Sequence, residues 1–204
     1  IEARLPDWIA AARPGQAHAY SNTNYHVVAE LIDRVHPPGF AGALDALFSA
    51  SGMKQRGQAG AEAAAGARNT GLVAPVFEPV EDLPTDVVGD GGVVSSLSAL
   101  CAWMRAVRDG SVLKASSLQE MTRPGRLDDG SDFDYGLGLE LQRKDGALIG
   151  YGHTGSWTNT TTCLLVDGRT GAGVIVLSNQ FMAPVVAIAQ AALRERKADV
   201  HHHR

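Results

Sequence analysis

Cysteine is scarce in this sequence. There are two cysteines in 204 residues, Cys101 and Cys163, and their spacing matches neither a metal site nor a redox motif. Cys101 falls on a helical stripe and Cys163 in an apolar run, so both read as small core residues. No cofactor or metal is expected. Excess charge is also missing: the formal net charge is -4, which gives no reason to expect nucleic acid or an anionic membrane as partner. No apolar run approaches the roughly 20 residues that span a bilayer, so no membrane span is expected. The chain opens at Ile1-Glu2-Ala3-Arg4 with neither methionine nor signal peptide, which points to a fragment or a processed chain. The closing His201-His202-His203-Arg204 reads as a purification-tag remnant and is set aside.

What is present starts at Tyr20-Ser21-Asn22, directly before an amphipathic helix. Tyr25, Val28, Leu31, Ile32 and Val35 recur at helical spacing and predict one apolar stripe. Asn22 or Thr23 is the expected N-cap, Glu30 and Arg34 are placed to pair, and Pro37-Pro38-Gly39 ends the helix. A phenol and a carboxamide thus stand at a rigid loop-to-helix junction. A phenol serves as a general base if nearby positive charge lowers its pKa. A carboxamide can donate to a substrate carbonyl and accept from an ammonium. The bland alternative makes Asn22 a cap and Tyr20 a half-buried anchor.

Ahead of that junction, a short helix is expected around Trp8, Ile9 and Ala12, then a turn at Pro14-Gly15. Beyond it, Phe40, Leu44, Leu47 and Phe48 predict a second helix with Gly52 at its C-terminus. Residues 55–90 are rich in Ala, Gly and Pro and read as a long loop with little regular structure. Gly89-Asp90-Gly91-Gly92 turns into a further helix, capped by Ser95 or Ser96 and striped by Leu97, Leu100, Cys101, Met104 and Val107. Without a P-loop lysine or a preceding strand, those glycines suit close packing better than a phosphate cradle. Ser116 or Ser117 opens a short helix that ends by Pro124.

From about residue 133 the period becomes two. Tyr135, Leu137, Leu139 and Leu141 alternate with smaller or polar residues and predict a half-buried strand. Asp145-Gly146 predicts a two-residue hairpin, and strands are expected at about 147–153, 160–166 and 173–178, the last buried on both faces. A final helix carries Val185, Ile188, Ala189 and Leu193. The class is α+β: a mainly helical part over 1–130 with the long loop 55–90, then an antiparallel sheet plus C-terminal helix over 131–204, both in one catalytic domain.

Gly152-His153-Thr154-Gly155-Ser156 ends the second strand of that meander. A glycine there lets a ligand approach the strand edge, whose free N–H groups can face a developing oxyanion. Taken with Tyr20-Ser21-Asn22, Ser51-Gly52-Met53, Gly91-Gly92-Val93-Val94-Ser95, Tyr135-Gly136-Leu137-Gly138 and Val176-Leu177-Ser178-Asn179, the chain resembles the serine β-lactamase-like family over almost its whole length. The resemblance is to the branch of class C β-lactamases, esterases, D-aminopeptidases and penicillin-binding proteins.

The resemblance implies a β-lactamase/transpeptidase-like fold. It also implies a serine hydrolase acting through an acyl-enzyme on a small-molecule ester, amide or β-lactam. It makes Tyr20 the residue that exchanges protons with the nucleophile and leaving group, and Asn22 the contact to the substrate's amide or carbonyl. His153, where many relatives have lysine, would steer substrate and support the tyrosine. The Ser156 N–H would be half of the oxyanion hole, with Thr154 and Gly155 in the substrate-binding edge. The family's Ser-x-x-Lys motif is not among the 19 residues before Tyr20. Ser51-Gly52-Met53-Lys54 and Ser111-Val112-Leu113-Lys114 match it formally but in the wrong order, one at a helix end and one in a loop. The expectation is a C-terminal part lacking the nucleophile helix and N-terminal strands, with that segment elsewhere, including on a separate chain. The alternative is a non-catalytic ligand-binding or interaction module.

Overall fold

The structure is a computed structural model that describes residues 13–53, 56–58, 66–69, 77–80, 89–157 and 160–202, without side chains in the three short stretches and beyond 196. The expected helix around Trp8 lies outside the described residues. Arg13 to Gln16 form the expected turn, with Gly15 at φ 83° and the Gln16 N–H donating to the Arg13 carbonyl.

Helix α1, Asn22–Val35, has Ser21 at its N-cap rather than Asn22 or Thr23, and no side chain caps it. Its apolar stripe is only partly used. Ala29 is buried, whereas Val28, Leu31 and Val35 are exposed. The helix face that packs runs through Tyr25 and Ala29, where Gly89 sits so close that a Cβ there would meet the Tyr25 carbonyl at 2.5 Å. Helix α2, Gly39–Ala50, packs on α1 and ends as expected. Gly52 takes φ 73°, its N–H bonds the Ser49 carbonyl, and the Met53 N–H bonds the Phe48 carbonyl. These are the paired bonds of a left-handed helix terminus that glycine adopts without a Cβ penalty.

The stretch 55–90 departs from its reading as a loop. Its described parts are three short strands: β1, Arg56–Gln58, β2, Gly66–Asn69, and β3, Phe77–Val80, with β2 and β3 paired antiparallel. Strand β4, Val93–Ser95, pairs with β1 before helix α3, Leu97–Arg108. Ser96 caps α3 by accepting from the Ala99 N–H at 3.2 Å. Phe48, Met53 and Ala99 form a small core with Leu44, Leu100 and Trp103, and Phe48 meets Trp103 edge to face at 6.3 Å. Helix α4, Ala115–Met121, starts after Lys114, and the two-residue strands β5, Gly125–Arg126, and β6, Asp132–Phe133, pair beyond it.

The main sheet is antiparallel, in the order β10-β9-β8-β7. Its strands are β7, Glu140–Lys144; β8, Ala147–Ser156; β9, Thr161–Asp167; and β10, Gly173–Ser178. Asp145 and Gly146 join β7 to β8 with φ 52° and 79°, the left-handed pair that a two-residue hairpin needs. The expected strand from Tyr135 does not form. Gly138 turns left-handed at φ 74°, and Gly136 packs on the Met121 carbonyl with no room for a Cβ, so Tyr135 to Leu139 make a turn and β7 begins at Glu140. Strand β10 is apolar but not buried on both faces: among the described residues it is the edge of the sheet, and Leu177 is exposed. Helix α5, Val185–His202, covers β9 and β10 through Val185, Ala189 and Leu193, which close a core on Cys163 and Leu165, while Ile188 faces outward. Both cysteines are free, and burial pushes the Cys163 thiol up.

A methyl group added at Gly52 would meet nothing within 4 Å, and neither would one at Gly91, which lacks the left-handed φ. Gly52→Ala should therefore lower the unfolding free energy by about 1 kcal/mol through backbone strain alone. Gly91→Ala should stay within about 0.5 kcal/mol. Urea denaturation of both variants measures this, and equal losses would contradict the strain argument.

Candidate active site

Three rings from separate parts of the chain meet at the C-terminal half of β8. Tyr20, 54% exposed, precedes α1. Tyr135 stands in the turn before β7, and His153 on β8. The Tyr20 ring lies 5.7 Å from Tyr135 and 6.0 Å from His153, and Tyr135 lies 5.8 Å from His153, edge to face. His18 stacks on Phe133 at 4.2 Å and flanks Tyr135. Sequence reasoning named Tyr20 and His153 for this place and took Tyr135 as a strand residue within a family motif, with no site role.

The hydrogen bonds fix the imidazole. His153 Nδ1 lies 2.5 Å from the Thr154 carbonyl, which only accepts, so Nδ1 carries a proton. In the neutral ring Nε2 is then the acceptor, and it takes the Tyr135 hydroxyl proton at 3.0 Å. Both ring nitrogens are thereby engaged away from Tyr20. Tyr25 of α1 packs on the turn that carries Tyr135, its hydroxyl 3.4 Å from where a Cβ at Gly138 would lie.

The end of β8 is open on one side. Strand β7 begins opposite Gly152, so Thr154 to Ser156 extend beyond it. The Thr154 N–H points to that side, reaching Glu140 Oε1 at 3.4 Å, whereas the Trp157 N–H points the other way, to the Thr160 carbonyl at 2.9 Å. Alternation along a strand then directs the Ser156 N–H to the open side. Gly152 allows the close strand packing, because a Cβ there would strike the Leu164 carbonyl of β9. Thr154 Oγ1 donates to Glu140 Oε1 at 2.8 Å, and Glu140 also lies 3.8 Å from His153 Nδ1. Asn22 is exposed at the start of α1 and makes no hydrogen bond with the described residues.

Two carboxylates set the field, and neither stood out in the sequence as a site residue. Asp90, its side chain 8% exposed, sits in the glycine turn docked on α1, with His26 Nε2 3.3 Å from Oδ1. Together with Glu140 it acts on Tyr20. The Tyr20 pKa is raised by burial first, then by Asp90, Glu140 and Tyr25. Nearby positive charge, the condition under which the phenol was expected to act as a base, is not among the causes that act on Tyr20 from the described residues. Tyr135 is pushed up as well, by burial first and then by the neighbouring Tyr25. Of the two Ser-x-x-Lys look-alikes, Ser51 is buried and donates to the Phe48 carbonyl at 2.8 Å, which removes it as a nucleophile. Ser111 is exposed in the turn after α3. Among the described residues no group of three or more His, Cys, Asp or Glu could hold a metal, and no helix is long and apolar enough to cross a membrane.

This is a β-lactamase/transpeptidase-like fold, with helices beside an antiparallel sheet. It is shared by a penicillin-binding protein from Bacillus halodurans, with TM-score 0.75 at 21% identity over 95% of this chain and 62% of that one. It is shared as well by a D-amino acid amidase from Ochrobactrum anthropi in complex with L-phenylalanine amide, with TM-score 0.65 at 24% identity over 83% and 52%. A family model described as Beta-lactamase matches residues 1–198, and the chain belongs to that family. A D-aminopeptidase from Gluconobacter oxydans is 24% identical over 181 residues, 87% of this chain. The chain spans about a third of that relative's length, 34%.

The raised phenols give a pH prediction. Tyr20, Tyr135 and Tyr151 hold their protons above the ordinary value of 10.0, Tyr151 by burial alone. The unfolded chain ionises first, so their contribution to stability is present below pH 10 and is lost as pH rises through the folded values. Absorbance at 295 nm should show phenols titrating above 10, and unfolding free energy should fall over the same range. A component that titrates below 10 in the chain and vanishes in Tyr20→Phe would contradict this.

Proposed function

We propose that this chain carries the cleft side of a serine hydrolase that works through an acyl-enzyme on an ester, amide or β-lactam. The observation that carries the proposal is the meeting of Tyr20, Tyr135 and His153 beside a strand edge whose Ser156 N–H points into open space. In this proposal Ser156 supplies one oxyanion donor, worth several kcal/mol in the transition state when preorganised. Thr154 and Gly155 line the edge on which substrate lies, and Asn22 reaches its amide or carbonyl. Tyr20 exchanges protons with the nucleophile and leaving group. As placed here it is protonated and suited to giving a proton. To take one it needs a cation that the described residues do not supply. His153 steers substrate through the Tyr135 bond rather than by touching Tyr20. The helical part and the sheet act as one catalytic domain.

The nucleophile belongs to a Ser-x-x-Lys motif upstream of Tyr20, whose lysine would also supply the missing cation. The relatives support amides as substrates, since the Ochrobactrum protein is a D-amino acid amidase and the Gluconobacter protein a D-aminopeptidase. A second reading, a non-catalytic binding module of the same fold, is favoured by Ser51 being tied to a helix carbonyl.

The 204-residue chain should gain no mass on incubation with a fluorophosphonate or a labelled penicillin, whereas the full-length protein should gain one adduct on a serine preceding Ile1. Intact-mass and peptide-mapping spectrometry decide this. An adduct on Ser111 would sink the assignment of the nucleophile, and an unlabelled full-length protein would favour the binding module.

A further inference from the structure

Resting on the hydrolase reading, we infer that Glu140 sets the hydrogen-bond polarity of the β8 edge, so that the site selects substrates carrying an ammonium group beside the scissile bond. A carboxylate only accepts, so at 2.8 Å from Glu140 Oε1 the Thr154 hydroxyl must spend its single proton there. Toward a ligand Thr154 Oγ1 has lone pairs alone. The Thr154 N–H also leans on the same oxygen, at 3.4 Å. Glu140 Oε2 makes no hydrogen bond with the described residues, and the side chain is 48% exposed. Next along the edge, the Thr154 carbonyl accepts from His153.

A ligand on this edge therefore meets acceptors where it passes Thr154 and Glu140, and a donor only further on at Ser156. The charge agrees with that polarity. Asp90 and Glu140 both bear on the Tyr20 phenol, and among the described residues no Lys or Arg pairs with either carboxylate. An ammonium satisfies Oε2 and the Thr154 lone pairs together. A substrate carboxylate would face two acceptors and two negative charges. Glu140 is a positioning residue for Thr154 and, through Oε2, a direct contact for the cation.

The test compares kcat/KM of the full-length protein for D-phenylalanine amide and for N-acetyl-D-phenylalanine amide, with p-nitrophenyl acetate as a neutral ester. The free amine should be preferred at least tenfold. Glu140→Gln, whose amide can donate to Thr154 and free the hydroxyl proton, should reduce that preference about tenfold, mainly through KM, and Thr154→Val should reduce it as well. A preference that Glu140→Gln leaves within twofold overturns the inference, and if the ester is still hydrolysed the hydrolase reading survives. If nothing is hydrolysed, calorimetry with D-phenylalanine amide decides. Binding that weakens about tenfold in Glu140→Gln supports the polarity without the hydrolase, and no binding overturns both.

Discussion

The hydrogen bond between Tyr135 and His153 joins the two halves of the site. The 3.0 Å contact ties the turn before β7 to β8, and Tyr25 of α1 packs on the same turn at Gly138. The bond exists because Gly136 and Gly138 bend the chain at a place where its alternation would otherwise continue as a strand. Its direction follows from the other ring nitrogen: the Thr154 carbonyl can only accept, so Nδ1 holds the proton and Nε2 accepts from Tyr135. Tyr20 rests against both partners of that bond, 5.7 Å from the Tyr135 ring and 6.0 Å from the His153 ring.

The second constraint is electrostatic. The Tyr20 phenol is raised by burial first and then by Asp90 and Glu140, and His153 beside it is turned toward Tyr135 and Thr154. The described chain is thus an acid-bearing, acceptor-rich half of a cleft. Base chemistry at Tyr20 requires a positive charge brought to it, and the proposed upstream lysine would be that charge. The same field that raises the phenol also favours cations in the ligand, so proton affinity and substrate charge are coupled through the same two carboxylates.

Local rules with a single outcome were legible in the sequence. The left-handed glycine after α2, the Ser96 cap and the Asp145-Gly146 hairpin each depend on a few neighbouring residues, and each forms as expected. The motifs Tyr20-Ser21-Asn22 and His153-Thr154-Gly155 pointed to the fold, which the solved neighbours share. Features set by distant packing were not legible. Periodicity marked Val28, Leu31 and Val35 for burial, but the face of α1 that packs is decided by where Gly89 docks. The apolar run of β10 resembled a central strand, yet nothing in its own residues says that no described strand follows it. Tyr135 alternated correctly for a strand, and only the close approach of Gly136 to Met121 shows why it turns instead. Glu140 and Asp90 carry no motif, and their importance is a matter of what faces them.

The central claim is that Tyr20 takes part in proton transfer at the end of β8. The most direct measurement is steady-state kinetics of Tyr20→Phe in the full-length protein, on an ester or amide that the wild type hydrolyses. Loss of a proton-transfer group should lower kcat on the order of 10²–10⁴-fold with little change in KM. Turnover within a few-fold of wild type would make Tyr20 a packing residue and contradict the account.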